Sequence, residues 1–137
     1  NLANFMRVNL YTALGALKTG MDILKREEGV QSDRIMGHGG LFKTKGVGQQ
    51  IMADAMEIPV AVMETAGEGG AWGIALLAAF MIEKNERTLD QYLEEVVFKD
   101  SHIAVLEPEE EGVKGYRRFM ERYTKGLSIE HAAVESM

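Results

Sequence analysis

Three glycines in four positions, Gly37, Gly39 and Gly40, follow a short apolar run and precede a helical pattern. This juxtaposition constrains the fold of the chain more than any other feature. Asp33–His38 reads as a strand. The pattern from about Thr44 to Glu57, with Val47, Ile51, Ala55 and Met56 on one side, reads as a helix. Gly46 and Gly48 weaken its first turn, so it begins at Val47 or later. Pro59–Met63 is a second short strand, with proline at its first residue, where a missing N–H is tolerated. Strand, turn, helix and strand within 31 residues make a βαβ unit, two parallel strands joined by a crossover. Glycine there lets the main chain take positive φ or admit a close neighbour. The helix start behind it leaves N–H groups unpaired. A turn that binds nothing could also use flexible residues, but three glycines so close favour one that faces a ligand.

The flanks are helical. Leu2, Phe5, Met6, Leu10, Ala13, Leu14, Leu17, Met21 and Leu24 recur at spacings of three and four, predicting a helix over about residues 2–28 with Gly29 as its C′ residue. Glu64–Gly70 is a second glycine-rich turn, and Ala71–Glu83 after it is apolar nearly all round, the pattern of a helix buried on most sides. Thr88 suits an N-cap for a short helix to about Val97. Ser101–Leu106 is irregular or a short edge strand. Pro108 with Glu109, Glu110 and Glu111 marks a last helix start, the carboxylates lying at the positive dipole end. Val113, Tyr116, Phe119, Met120, Tyr123 and Leu127 form its buried side, and Ile129–Met137 is expected to be a frayed tail.

At 137 residues the chain is bounded to one domain. A net charge of −6 argues against a nucleic-acid or polyanion surface. The absence of cysteine excludes disulfides, thiolate metal sites and thiol catalysis. No run approaches the roughly 18 apolar residues of a membrane span. The opening at Asn1, without a signal-peptide pattern, leads us to expect a cut end, a piece of a longer protein.

His38, His102 and His131 do not have the short helical spacing of a zinc site. His38, inside the turn, can touch a ligand or simply hydrogen-bond. A Walker pattern is nearly met by Gly37, Lys43 and Thr44, but Phe42 stands where backbone must wrap a phosphate.

Read together, Gly37–Thr44, Gln50-Ile-Met-Ala-Asp54, Ile58-Pro-Val60 and Glu68-Gly-Gly-Ala-Trp-Gly-Ile-Ala-Leu-Leu-Ala78 resemble the C-terminal part of the FGGY family of carbohydrate kinases, among them xylulose, ribulose and glycerol kinases. Order and spacing agree over about residues 34–80, and Pro108, Tyr116 and Tyr123 resemble the family's usual ending. His38, Leu41, Phe42, Glu57, Trp72 and Ile74 depart from its pattern and leave the subfamily open.

The resemblance implies an α/β fold: the C-terminal part of a ribonuclease-H-like domain of the actin and sugar-kinase superfamily, helix-rich with a short parallel βαβ unit. It implies a nucleotide-binding subdomain over residues 1–128 with a tail over 129–137. The implied activity is transfer of the ATP γ-phosphoryl group to a carbohydrate hydroxyl, a pentulose such as xylulose, in the cytoplasm, with ATP and Mg2+ as cofactors. The turn would be the adenosine motif, with Gly37, Gly39, Gly40, Leu41, Phe42 and Lys43 about the adenosine and Gln50 near the base. Gly69, Gly70 and Gly73 would pack the next helix against it. The catalytic base, the phosphate turns and the Mg2+ ligands are expected upstream, so this chain alone should be inactive and self-associate. Expected partners are ATP and a small sugar, with no nucleic acid and no membrane. The alternatives are a non-catalytic nucleotide-binding module of the same fold and a P-loop NTPase fragment.

Overall fold

The computed structural model describes residues 1–64, 69–99 and 101–137. Helix α1 spans Leu2–Arg26, strand β1 Ile35–Gly37, helix α2 Val47–Met56, strand β2 Val60–Met63 and helix α3 Gly69–Glu83. Helix α4, Leu89–Tyr92, runs into a π-helical turn, Leu93–Val97; strand β3, Ile103–Leu106, and helix α5, Glu110–Glu135, close the chain.

The sheet has the order β1-β2-β3. β1 and β2 are parallel, with Ile35 opposite Val60 and Gly37 opposite Val62, so the expected βαβ unit is present. β3 adds antiparallel to β2, Val60 opposite Leu106 and Met63 opposite Ile103, and realises the edge-strand alternative for this stretch.

Helix α2 is the hub. Met52, Ala53, Ala55 and Met56 are buried against Tyr11 and Leu14 of α1, Val60 of β2 and Tyr116 of α5. The burial is broader than the expected stripe: Val47 lies exposed while Gln49 and Asp54 are buried. Two polar ties lock this core. The Tyr116 hydroxyl donates to Tyr11 O at 3.3 Å, and burial pushes that phenol up, keeping it a donor. Asp54 Oδ1 accepts from Glu109 N at 2.8 Å and from Gln50 Nε2 at 2.9 Å, while Gln50 Nε2 also reaches Glu107 O at 2.9 Å. The α2 carboxylate thereby binds the N-terminus of α5, where orphan N–H groups and the helix dipole favour an anion.

The caps follow the sequence. The C-cap of α1 is Glu27, so Gly29 stands one residue beyond the expected C′ position; it takes φ 66°, and Val30 N then closes on Leu24 O at 3.1 Å. Thr88 and Gln91 form a reciprocal capping box at α4. Pro108 lies just outside α5, whose N-cap is Glu109, with Glu110 and Glu111 in the first turn. The expected buried side of α5 is the one observed: Tyr116 is buried, and Val113, Phe119, Met120, Tyr123 and Leu127 are half-buried.

Three expectations are corrected. Helix α3 buries none of its described residues; Ile74, Met81 and Ile82 are more than two-thirds exposed. Its neighbours are α4 and the π-turn, through Trp72 on Phe98 and Phe80 on Tyr92. The α1 stripe is likewise largely exposed: Leu14 is buried and Leu10 and Met21 are half-buried, while Leu2, Phe5, Met6, Ala13, Leu17 and Leu24 lie exposed, because the core meets α1 on the side that carries Tyr11, Leu14 and Gly15. The expected frayed tail continues α5 as helix to Glu135, since nothing between Leu127 and Ala133 breaks the helix.

Candidate functional site

β1 ends at Gly37, and the chain must turn sharply over the end of the sheet to enter α2. Gly39 makes the turn at φ 99°, a conformation that L side chains rarely adopt. Gly40–Phe42 then forms one 3₁₀ turn. The Phe42 ring folds back onto Gly37, where a Cβ would overlap it. Phe42 is thereby buried, and a wrapped phosphate loop is absent here: the position that a P-loop needs as backbone is filled by a core side chain. A Cβ at Gly39 or Gly40 would meet nothing within 4 Å, so this bare backbone faces open space. It lies at the carboxyl end of the parallel strands, where open α/β sheets take ligands.

Two cavities flank the turn. One, of about 240 Å³, is lined by His38, Gly69, Trp72, Leu76, Leu93 and Phe98 among others, and is almost wholly apolar. His38 brings the turn and α3 together: a Cβ at Gly69 would stand 3.1 Å from His38 Nδ1. Thus Gly69 packs α3 against the turn as expected, whereas a Cβ at Gly70 or Gly73 would meet open space. Of the second glycine-rich turn, residues 65–68 lie outside the described residues.

The other cavity, of about 470 Å³, lies between the turn and the ends of β2 and β3. Phe42, Val62, Ile103 and Ala104 give it apolar walls, and Lys43, Lys45, Glu64, His102 and Gln49 its polar groups. A larger open groove of about 850 Å³ between α1 and α5 shares no residue with the turn. Several of its charges pair internally, Lys18 with Asp22 at 2.8 Å and Arg117 with Glu57.

Of the residues expected about a ligand, Gly39, Gly40 and Lys43 lie at the turn's surface. Gly37 and Phe42 pack on each other, and Leu41 leans on the core. Gln50 is bonded to Asp54 and Glu107 at the base of α5 and lines neither flanking cavity. Its neighbour Gln49 does line one. Gln49 was legible in principle, since Gln49, Met52, Ala53 and Met56 share the three-and-four spacing of a buried face. His102 had no local signal; only the β2–β3 pairing brings it to the cavity. Among the described residues no three His, Asp or Glu side chains converge as a metal site, and no helix is long and apolar enough to cross a membrane.

Comparison with known proteins gives one family. The family model described as the FGGY family of carbohydrate kinases, C-terminal domain, matches residues 1–82, from the start of α1 to the end of α3. No curated protein and no solved structure matches the chain. Since the matched stretch covers 82 of 137 residues and contains the whole βαβ unit with its glycine turn, the chain belongs to the FGGY family of carbohydrate kinases, through that family's C-terminal domain.

Proposed function

We propose that this chain forms the adenosine-holding wall of an ATP-dependent kinase that phosphorylates a hydroxyl of a small sugar, a pentulose such as xylulose, in the cytoplasm. In this reading the small mixed sheet is the end of a ribonuclease-H-like domain, and the remaining catalytic parts come from the rest of a longer protein. The observation that carries it is the Gly39–Gly40 backbone, held at φ 99° over the carboxyl end of the parallel strands with open space in front. The residues present fit the nucleoside. A flat base approaches bare backbone closely, and the apolar cavity beside His38 offers the rings of Trp72 and Phe98 to it.

ATP supplies the phosphoryl group to be transferred. This chain's part is positioning, which is most of what a protein contributes to phosphoryl transfer. Gly39 and Gly40 set the depth of the nucleoside, and Trp72 and Phe98 shield it from water. Mg2+ belongs to the same reaction, but the described residues offer no converging carboxylates for it. A non-catalytic nucleotide-binding module remains the second reading. A coupled ADP-release assay on this chain with a panel of sugars is expected to show no turnover on either reading, whereas the full protein turns over only on the first.

The turn is tested by titrating ADP. Gly40→Val puts a branched side chain where the nucleoside would lie and should weaken binding about thirtyfold, on the order of 2 kcal/mol. Lys43→Ala should change it less than about threefold, as expected of an exposed lysine beside an uncharged nucleoside. The reverse order, with Lys43 dominant, would remove the adenosine assignment.

A further inference from the structure

Three guanidinium groups meet on one groove between α1 and α5, with no carboxylate among them. The groove, of about 410 Å³, takes Arg7 from α1 and Arg118 and Arg122 from α5. Asn4 adds a neutral amide, and Val8, Tyr11 and Phe119 an apolar wall. It shares no residue with the glycine turn or with the cavities beside it. Arg118 and Arg122 stand one helical turn apart and so project from the same side of α5. Arg7 reaches the same space because Tyr11, one turn further along α1, is seated on α5. The Tyr11 ring meets those of Tyr116 and Phe119 edge to face, with centroids 4.9 and 5.4 Å away. Gly115 lets the two helices close here, since a Cβ on it would stand 3.4 Å from the Tyr11 hydroxyl.

The cations of this groove are not matched. Arg87 and Arg117 are paired, with Glu95 at 3.2 Å and with Glu57. Among the described residues, the Arg7, Arg118 and Arg122 side chains form neither an ion pair nor a hydrogen bond. No Asp or Glu lines the groove, although the chain as a whole carries a net charge of −6. All three arginines are exposed and hydrated, so what favours a ligand is unbalanced charge and not an unmet hydrogen bond. A cleft lined by one sign of charge against an apolar wall focuses its field and gathers ions of the opposite sign. A monovalent anion would answer one arginine of the three. A carboxylate is planar and offers its two oxygens to one guanidinium fork. A phosphoryl group turns its oxygens in different directions and accepts forks from both helices at once. Two linked phosphoryl groups carry roughly three negative charges near neutral pH, which balances the three arginines.

We propose that this groove binds a compact diphosphate anion through its phosphoryl oxygens, with Arg7 on one wall and Arg118 and Arg122 on the other. The site is separate from the nucleoside's at Gly39 and Gly40 and stands whether or not that assignment holds.

The test titrates the full chain at low salt with inorganic pyrophosphate, sulfate, citrate and ADP, and amide chemical shifts locate each ligand. Pyrophosphate is expected to move amides of residues 4–11 and 115–122 and to bind at least about tenfold tighter than sulfate or citrate. Arg7→Gln, Arg118→Gln and Arg122→Gln should each weaken it about threefold or more. These side chains are exposed and unpaired, so the fold is kept. Lys114→Gln, on the same helix but outside the groove, should change it less than about twofold. ADP should occupy the groove no more tightly than pyrophosphate, since only the diphosphate is bound there. Shifts of residues 37–43 by ADP score the adenosine reading separately. The proposal fails if pyrophosphate binds no tighter than sulfate or citrate, or if its shifts lie outside α1 and α5. It also fails if Lys114→Gln costs as much as the arginine variants. ADP filling the groove at concentrations at which pyrophosphate does not would make it a nucleotide site and overturn the proposal as well.

Discussion

Asp54 shows how one side chain can carry a junction between elements. It is 7% exposed, accepts from the first backbone N–H at the head of α5, and is so close to that helix that a Cβ at Gly112 would overlap its carboxylate. Asp54→Ala leaves Glu109 N unpaired and opens a polar gap, so it should cost about 2 kcal/mol in urea denaturation. A second junction lies at Glu57, which ends α2 with φ 57° and bonds Arg117 of α5 through both carboxylate oxygens. The hydrogen bond from Arg117 holds the Glu57 carboxyl below the usual glutamate range. A depressed folded value means stabilisation that is present above the unfolded value, about 4.3, and lost as pH falls through the folded one. Arg117 is well exposed, so solvent screening keeps the contribution small. Glu57→Gln should therefore lower the melting temperature slightly at pH 7 and match wild type near pH 3. An equal deficit at both pH values would show that the ion pair is not its source.

At the scale of elements, α1 and α5 approach through a glycine. A Cβ at Gly15 would stand 2.7 Å from the Tyr123 ring, whereas a Cβ at Gly20, also within α1, would meet nothing within 4 Å. The same substitution should thus have opposite signs. Gly15→Ala forces the helices apart or the ring aside and should destabilise by about 1–3 kcal/mol. Gly20→Ala gains helix propensity on an open face and should stabilise by up to about 1 kcal/mol. Chemical denaturation of the two variants checks the pair, and two destabilised variants would contradict the packing described. Helices α2 and α3 teach a related lesson: the more uniformly apolar α3 lies exposed and the mixed α2 lies buried. Hydropathy records what a helix gains by losing water, not which surfaces stand beside it.

On the scale of the molecule, apolar surface remains uncovered in three places. Met36, Ile103 and Val105 share one sheet face with Met63, opposite the face that α2 covers. Ile74, Leu77, Met81 and Ile82 line α3, and Leu2, Phe5 and Met6 the start of α1. Sheets with parallel strands are normally covered on both faces, and apolar surface of this extent marks interfaces. We therefore expect the isolated chain to self-associate at micromolar concentration in sedimentation runs. Ile82→Glu, at a position 85% exposed, should shift the distribution toward monomer without unfolding the chain. A clean, cooperative wild-type monomer would count against this expectation.

The sequence by itself determined the elements and their caps. Spacing of three and four, a glycine past α1, a Thr–Gln capping box and acidic residues at the head of α5 are local signals, read over one or two turns. It also determined the βαβ unit and the glycine turn, because strand, turn and helix are contiguous there. Tertiary structure alone decided which apolar faces found partners, since burial depends on elements distant in sequence. It decided that Phe42 folds back onto Gly37 and into the core, and that Gln50 serves α5 through Glu107, 57 residues away. It alone brought His102 of the β3 approach, Glu64 at the end of β2 and Gln49 of α2 around one cavity. Such a convergence has no period in the chain; it follows from strand pairing and helix packing, which join residues that no local pattern relates.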